Sequence, residues 1–163
     1  MHVYRRRGAL ALAATLAAVA CSDTLSPAII PGFYADLSGD QVVPAVAVSA
    51  TGTYNFTTGA DSGLTVTTGT LTGLSGAPTK IAIYVGAAGA NGTERGDVCG
   101  GSAPACTAGS TSVTNTAVTM IGTFTKGQLY TALHTYGGGY IMVNTAAHAT
   151  GEIRGVVVFN PLQ

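Results

Sequence analysis

Few side chains in this sequence could do chemistry, and they stand far apart. After residue 20 there are two histidines (His134 and His148), three cysteines (Cys21, Cys99 and Cys106), and seven acids against four bases. Glu152 and Arg154 are two apart in Gly151-Glu152-Ile153-Arg154-Gly155. In a strand that spacing puts both on one face and Ile153 on the other, which predicts a structural ion pair. General acid–base catalysis needs paired groups within reach, and this is the pair the sequence offers. No Gly-x-Ser-x-Gly nucleophile motif occurs. Two histidines without a convergent third ligand are too few for a zinc or copper centre. His134 falls near a helix end, where a cation is favoured, and His148 in a turn; both predict surface or capping roles. The expectation is therefore no catalytic residue, no metal and no cofactor.

The remaining reactive group is Cys21, and its setting is an address. Arg5-Arg6-Arg7 precedes Gly8 to Ala20, a small and apolar run broken only by Thr15, the form of a signal peptide. The run is shorter than the roughly 20 residues a spanning helix requires. It closes on Leu16-Ala17-Ala18-Val19-Ala20-Cys21, which resembles a bacterial lipobox. The resemblance implies cleavage before Cys21 and a diacylglycerol on its sulfur. Several acyl chains together hold a protein on a membrane where one does not. Residues 1–20 are thus expected to be a lipoprotein signal peptide. Residues 21–32, with two prolines and no period, are expected to be a lipid-anchored tether. Ser22, where Asp would resemble a retention signal, points to the outer membrane or cell surface, with the periplasmic face as the alternative. Oxidising export makes a Cys99–Cys106 disulfide the default, contributing roughly 2–3 kcal/mol. A pair of metal thiolates, the alternative, lacks further ligands nearby.

What must position these groups is a β domain. Charged residues are 9% of the chain and Gly 23 of 163, the composition of short strands and tight turns rather than of a helical bundle. Period-2 patterns predict strands at Phe33–Leu37, Gly52–Thr57, Leu64–Leu71, Lys80–Val85, Val113–Phe124, Tyr140–Asn144 and Ile153–Phe159. Pro44 makes Gln41–Pro44 an edge or a bend. Residues 86–112 predict one long irregular loop, with a tight turn at Asn91-Gly92. Thr125 and Gln128 have capping-box spacing, Leu129, Ala132 and Leu133 follow at helical spacing, and Gly137-Gly138-Gly139 ends the run; these predict a helix over about 126–134. Six to eight strands and one short helix argue an all-β antiparallel sandwich over residues 33–159. With few bases after residue 21 no basic patch can form, so nucleic acid is not expected as a partner.

In this order the signals resemble the CHRD domain, the module named from chordin. Ala35-Asp36-Leu37-Ser38-Gly39-Asp40-Gln41-Val42-Val43-Pro44 is similar to its opening motif, and Ala50 to Tyr54 to its next strand. Gly86 to Gly92 resembles its Gly-rich turn. Tyr140 to Thr145 and Gly151 to Gly155 resemble its closing motif. The resemblance implies an immunoglobulin-like, superoxide-dismutase-like β-sandwich. It makes Gly39, Pro44, Gly52, Gly151, Glu152, Ile153, Arg154 and Gly155 structural motif residues. For bacterial members it implies no settled activity. Where such domains often carry a His-x-His strand and a further His, this chain has Ile83, Val85 and Asn144. Its acid after Gln41 is replaced by Val42.

The expected function is a lipid-anchored, non-enzymatic binding or structural module of the cell envelope. Its partners would be the membrane, through the anchor, and an envelope protein or polymer of unknown identity. The alternatives are a metal-binding or superoxide-dismutase-like envelope protein and a surface adhesin using the 86–112 loop. Arg95-Gly96-Asp97 in that loop spells an integrin-binding tripeptide, a three-letter match common by chance.

Overall fold

The computed structural model describes residues 32–107, 112–135 and 137–160; the expected signal peptide, Cys21 and the expected tether up to residue 31 lie outside them. The first three strands are built by apolar residues alternating with polar ones. Phe33, Ala35 and Leu37 of β1 (Gly32–Ser38) point inward, as do Tyr54 and Phe56 of β2 (Thr51–Thr58). In β3 (Leu64–Thr72) the inward series shifts from Leu64 and Val66 to Gly69 and Leu71. A bulge explains the shift: Asn55 faces Thr68 while Phe56 faces Val66, leaving Thr67 as the extra residue. Each buried large apolar side chain stabilises the fold by roughly 1.5–3 kcal/mol.

Beyond β3 the chain forms β4 (Pro78–Val85), β5 (Thr93–Cys99), β6 (Ser112–Ala117), β7 (Thr119–Met120), helix α1 (Lys126–His134), β8 (Gly139–Thr145), β9 (Ile153–Val156) and β10 (Val158–Asn160). The strands make one sheet in the order β6-β3-β2-β1-β9-β8-β4-β5-β7, with β10 also on β1. The two ends of this path, β6 and β7, are consecutive in the chain with Val118 alone between them. The sheet therefore rolls nearly into a barrel around Phe33, Phe56, Ile81, Ile83, Ile141, Val143 and Ile153, all fully buried. The fold is all-β with one helix, as the composition requires. β9 links β8 to β1: Arg154 faces Met142 of β8 and, in the single registered pair with β1, Ser38.

Three expectations are corrected. The strand expected over Val113–Phe124 is two short ones, β6 and β7, parted at Val118, and residues 121–124 lie outside any strand. Residues 86–112 are not one irregular loop, because Thr93–Cys99 is a strand paired with β4 from Ile81↔Cys99 to Val85↔Thr93. Its inward position Gly96 has no side chain to show in a hydropathy pattern, and Val118 and Leu129 pack over it. The C-terminal strand is not continuous either. It breaks at the buried Val157, whose N–H donates to Gly139 O at 3.0 Å, so β9 completes β8 while β10 pairs with Gly32–Tyr34.

The capping box of α1 forms. Thr125 Oγ1 accepts from Gln128 N at 3.2 Å and Gln128 Oε1 accepts from Thr125 N at 2.9 Å. Leu129 and Leu133 are buried. His134 and Tyr130 lie against Phe33, and the His134 ring is 3.9 Å from that of Phe159. Lys126 Nζ meets Asp61 Oδ2 of the β2–β3 turn at 2.6 Å.

Candidate functional site

The closing motif does not make an ion pair. Glu152 precedes β9, and the preceding Gly151 has φ of +127°, a region side chains avoid. The two residues therefore do not share one strand's alternation, and their side chains go to different partners. The Glu152 carboxylate, fully buried, accepts from Ser75 N, Ser75 Oγ and Thr145 Oγ1, each at 2.6 Å. Burial pushes its pKa up, but the Ser75 and Thr145 donors outweigh burial and hold it below the usual carboxylate range. Its own N–H donates to Val143 O at 2.8 Å. Glu152 thus ties the loop at Ser75 to the β8–β9 connection.

Arg154, also buried, places its guanidinium 3.5 Å from the centre of the Tyr140 ring. Its Nε and Nη1 have no hydrogen-bond partner among the described residues, so the cation is met by an aromatic face. Tyr140 in turn stacks on Tyr84, its cross-strand partner, at 5.1 Å with planes 2° apart. The Tyr140 hydroxyl accepts from Gly92 N at 2.9 Å. Tyr84 Oη donates to Glu94 Oε2 at 2.6 Å, and Lys80 Nζ pairs with the same carboxylate oxygen. Arg154, Tyr140, Tyr84 and Glu94 therefore form a continuous stack across β9, β8, β4 and β5 on the side away from the core.

Asp97 ends this row, fully buried. Ser102 N donates to its Oδ2 at 2.7 Å. Burial, then the neighbouring Glu94 charge, raise the Asp97 pKa; in Glu94, Lys80 and Tyr84 overcome burial and lower it. Two ionised carboxylates cannot hydrogen-bond, and Asp97 Oδ1 has no hydrogen-bond partner among the described residues. The raised pKa favours the protonated acid, which unlike the carboxylate can donate a hydrogen bond. Asp97 is enclosed in the fold, while the Glu94 side chain keeps partial contact with solvent.

The other motif residues shape the backbone. A methyl at Gly155 would stand 2.5 Å from the Asp36 carbonyl, so glycine lets β9 approach β1. Gly39 lies as close to Val46, and Gly52 pairs with Leu37 and Leu71 in β2. Ile153 is core. Pro44 is exposed in a bend after the short 3-10 turn Gly39–Gln41. Gln41 carries more than the sequence reading gave it. Its Nε2 donates to Asp36 O at 2.8 Å and its Oε1 accepts from Val156 N at 3.3 Å, so its amide bridges β1 and β9 where the ladder parts. A motif Gln beside a glycine turn was the available signal.

Cys99 and Cys106 are joined by a disulfide. Their loop faces β6 across a groove of ≈ 350 Å³ lined by Val98, Pro104, Val113 and Thr116. Ile83 is core, facing Ile141, and Val85 is half-buried. Asn144 Nδ2 donates to Ala149 O at 2.6 Å and so closes the loop around His148. His134 and His148 are on different elements, and among the described residues no three His, Cys, Asp or Glu cluster in a way that could hold a metal. The Arg-Gly-Asp tripeptide is not displayed. Arg95 lies 4.6 Å from the Phe124 ring, Gly96 packs inward and Asp97 is enclosed.

The other half of the outer surface differs. Between β1, β2 and β10 a groove of ≈ 610 Å³ is lined by Tyr34, Asp36, Thr53, Asn55, Val158 and Asn160 among others. Beside it β2 and β3 turn hydroxyls outward: Thr51, Thr53, Thr68, Thr70 and Thr72 are exposed.

In comparisons with known proteins, the family model of the CHRD domain matches residues 33–157. No curated protein and no solved structure matched the chain.

Proposed function

The chain belongs to the CHRD domain family, a non-catalytic domain family, and from that premise we propose that it is a binding module held at the cell envelope by a lipid on Cys21. One observation carries the reading. The motif residues with chemical potential, Glu152, Arg154 and Tyr140, are buried and hold strands and loops together, leaving the open groove and hydroxyl face as the surface offered to a partner. In this reading the fold is a relative of the immunoglobulin-like and superoxide-dismutase-like sandwiches. Its halves, β6-β3-β2-β1 and β9-β8-β4-β5-β7, face one another across the core. Residues 1–20 are removed, 21–32 tether the domain, and the outer membrane or cell surface is the destination.

The test is fractionation of cells carrying the wild-type chain or Cys21→Ser, with mass analysis of the mature N-terminus. The wild type should sediment with membranes and carry acyl mass on Cys21, and the variant should be soluble or unprocessed. A mature wild-type protein without lipid on residue 21 overturns the anchor.

A further inference from the structure

The sheet register arranges the outward side chains of β1, β2, β3 and β6 in rows. Tyr34, Asn55, Thr68 and Thr114 face one another across the four strands; so do Asp36, Thr53, Thr70 and Ser112; Ser38, Thr51 and Thr72 form a third row across three. Positions repeat about every 4.8 Å across the strands and about 6.7 Å along them. Asp36 is the one charged side chain in these rows. Neighbours within rows are already bonded: Thr53 Oγ1 to Thr70 Oγ1 at 2.8 Å, and Asn55 Nδ2 to Thr68 Oγ1 at 3.1 Å. A hydroxyl offers one donor and two acceptor sites, so each of these threonines keeps capacity toward the outside. Threonine is stiff at χ1, so holding it in a complex costs less rotamer entropy than holding lysine or arginine.

The groove borders the first two rows. It arises where β1 changes partner, from β10 at Gly32–Tyr34 to β9 at Ser38. Its ≈ 610 Å³ lies within the roughly 300–1,000 Å³ of ligand sites. Its lining brings the aromatic Tyr34, with Tyr54 and Phe159 beside it, together with the planar polar ends of Asp36 and Asn55. That combination suits a sugar ring, whose C–H face packs on an aromatic and whose neighbouring hydroxyls take paired hydrogen bonds from carboxylate and amide groups. Among the described residues no cation lines the groove to draw a phosphate, sulfate or uronate, and Asp36 repels them. The run of hydroxyl rows beyond the groove extends the same chemistry to a polymer.

We propose that this face, from the Tyr34 groove across Thr53 and Thr70, binds a neutral polysaccharide chain. The proposal rests on the binding-module reading and names its ligand class. The test is affinity electrophoresis of the full chain in detergent through gels holding xylan, mannan, laminarin or hydroxyethylcellulose, against alginate and heparin gels. At least one neutral polymer should retard the protein. Thr53→Val with Thr70→Val, and separately Tyr34→Ala, should weaken that binding at least tenfold with the melting temperature of the threonine pair preserved. Thr131→Val on the helix surface should leave it unchanged. Retardation by the anionic polymers alone, by none of the gels, or undiminished by the threonine pair overturns the polysaccharide assignment. Crosslinking the wild-type protein in intact envelopes separates this from the parent reading: an adduct with a protein partner leaves the binding module standing without a glycan ligand, and the absence of any adduct removes the module reading too.

Discussion

Asp97 and Glu94 differ in how they answer to pH, although they touch. Glu94 and Glu152 have lowered pKa values in the fold. Their stabilisation is present above the unfolded carboxylate pKa and fades as pH falls through the lowered folded values. Asp97 has a raised pKa, so the fold holds its proton and loses that contribution as pH rises through the folded value. Asp97→Asn keeps an acceptor for Ser102 N and supplies a permanent donor to Glu94. It should raise stability near pH 7 by about 1 kcal/mol, the scale of one net hydrogen bond. Mild acidification should then help the variant less than the wild type. Thermal melts at about pH 7 and about pH 5 check this; a variant that melts lower at neutral pH would mean Asp97 is ionised there and satisfied as such. Arg154 is a different residue-scale lesson. Spacing of two suggested a partner in Glu152, but the glycine turn at 151 breaks the strand alternation that the argument assumed, and an aromatic face takes the carboxylate's place.

Among the elements, α1 was the most legible, because its capping box and its Leu129/Leu133 pair are local signals that tertiary structure only had to accept. Thr125→Ala removes the side-chain acceptor at Gln128 N and should cost about 1 kcal/mol, read as a lower urea midpoint with an unchanged slope. A midpoint that does not move would show the helix to be held by its aromatic contacts alone. β5 was illegible for a physical reason. Glu94, Arg95, Gly96 and Asp97 look like turn residues, and what makes them a strand is non-local: pairing with β4, a glycine under Val118, and a buried acid that accepts from Ser102 N. Gln41 was hidden similarly, since a side chain replacing a ladder bond leaves no periodic trace. The C-terminal valine run hid its own break, because Val157 is buried whether or not the strand continues.

At the scale of the whole molecule, β9 and Gln41 join the two halves of the sheet and one core fills both. Unfolding should therefore be a single cooperative transition. Far-UV circular dichroism and tyrosine fluorescence, the latter available because the chain has seven Tyr and no Trp, should give coincident denaturation curves; two separated curves would show halves that melt apart. The threonine-rich half and the charged aromatic half thus stand or fall together, which ties any ligand on the first to the stability of the second. The disulfide loop has a further consequence. It faces β6, the margin where the rolled sheet does not complete its ladder. An open strand margin is a template for a neighbour's strand. Copies of a protein packed at high density would meet side by side, and the small covalent ring between Cys99 and Cys106 stands next to that margin, where it would obstruct such pairing.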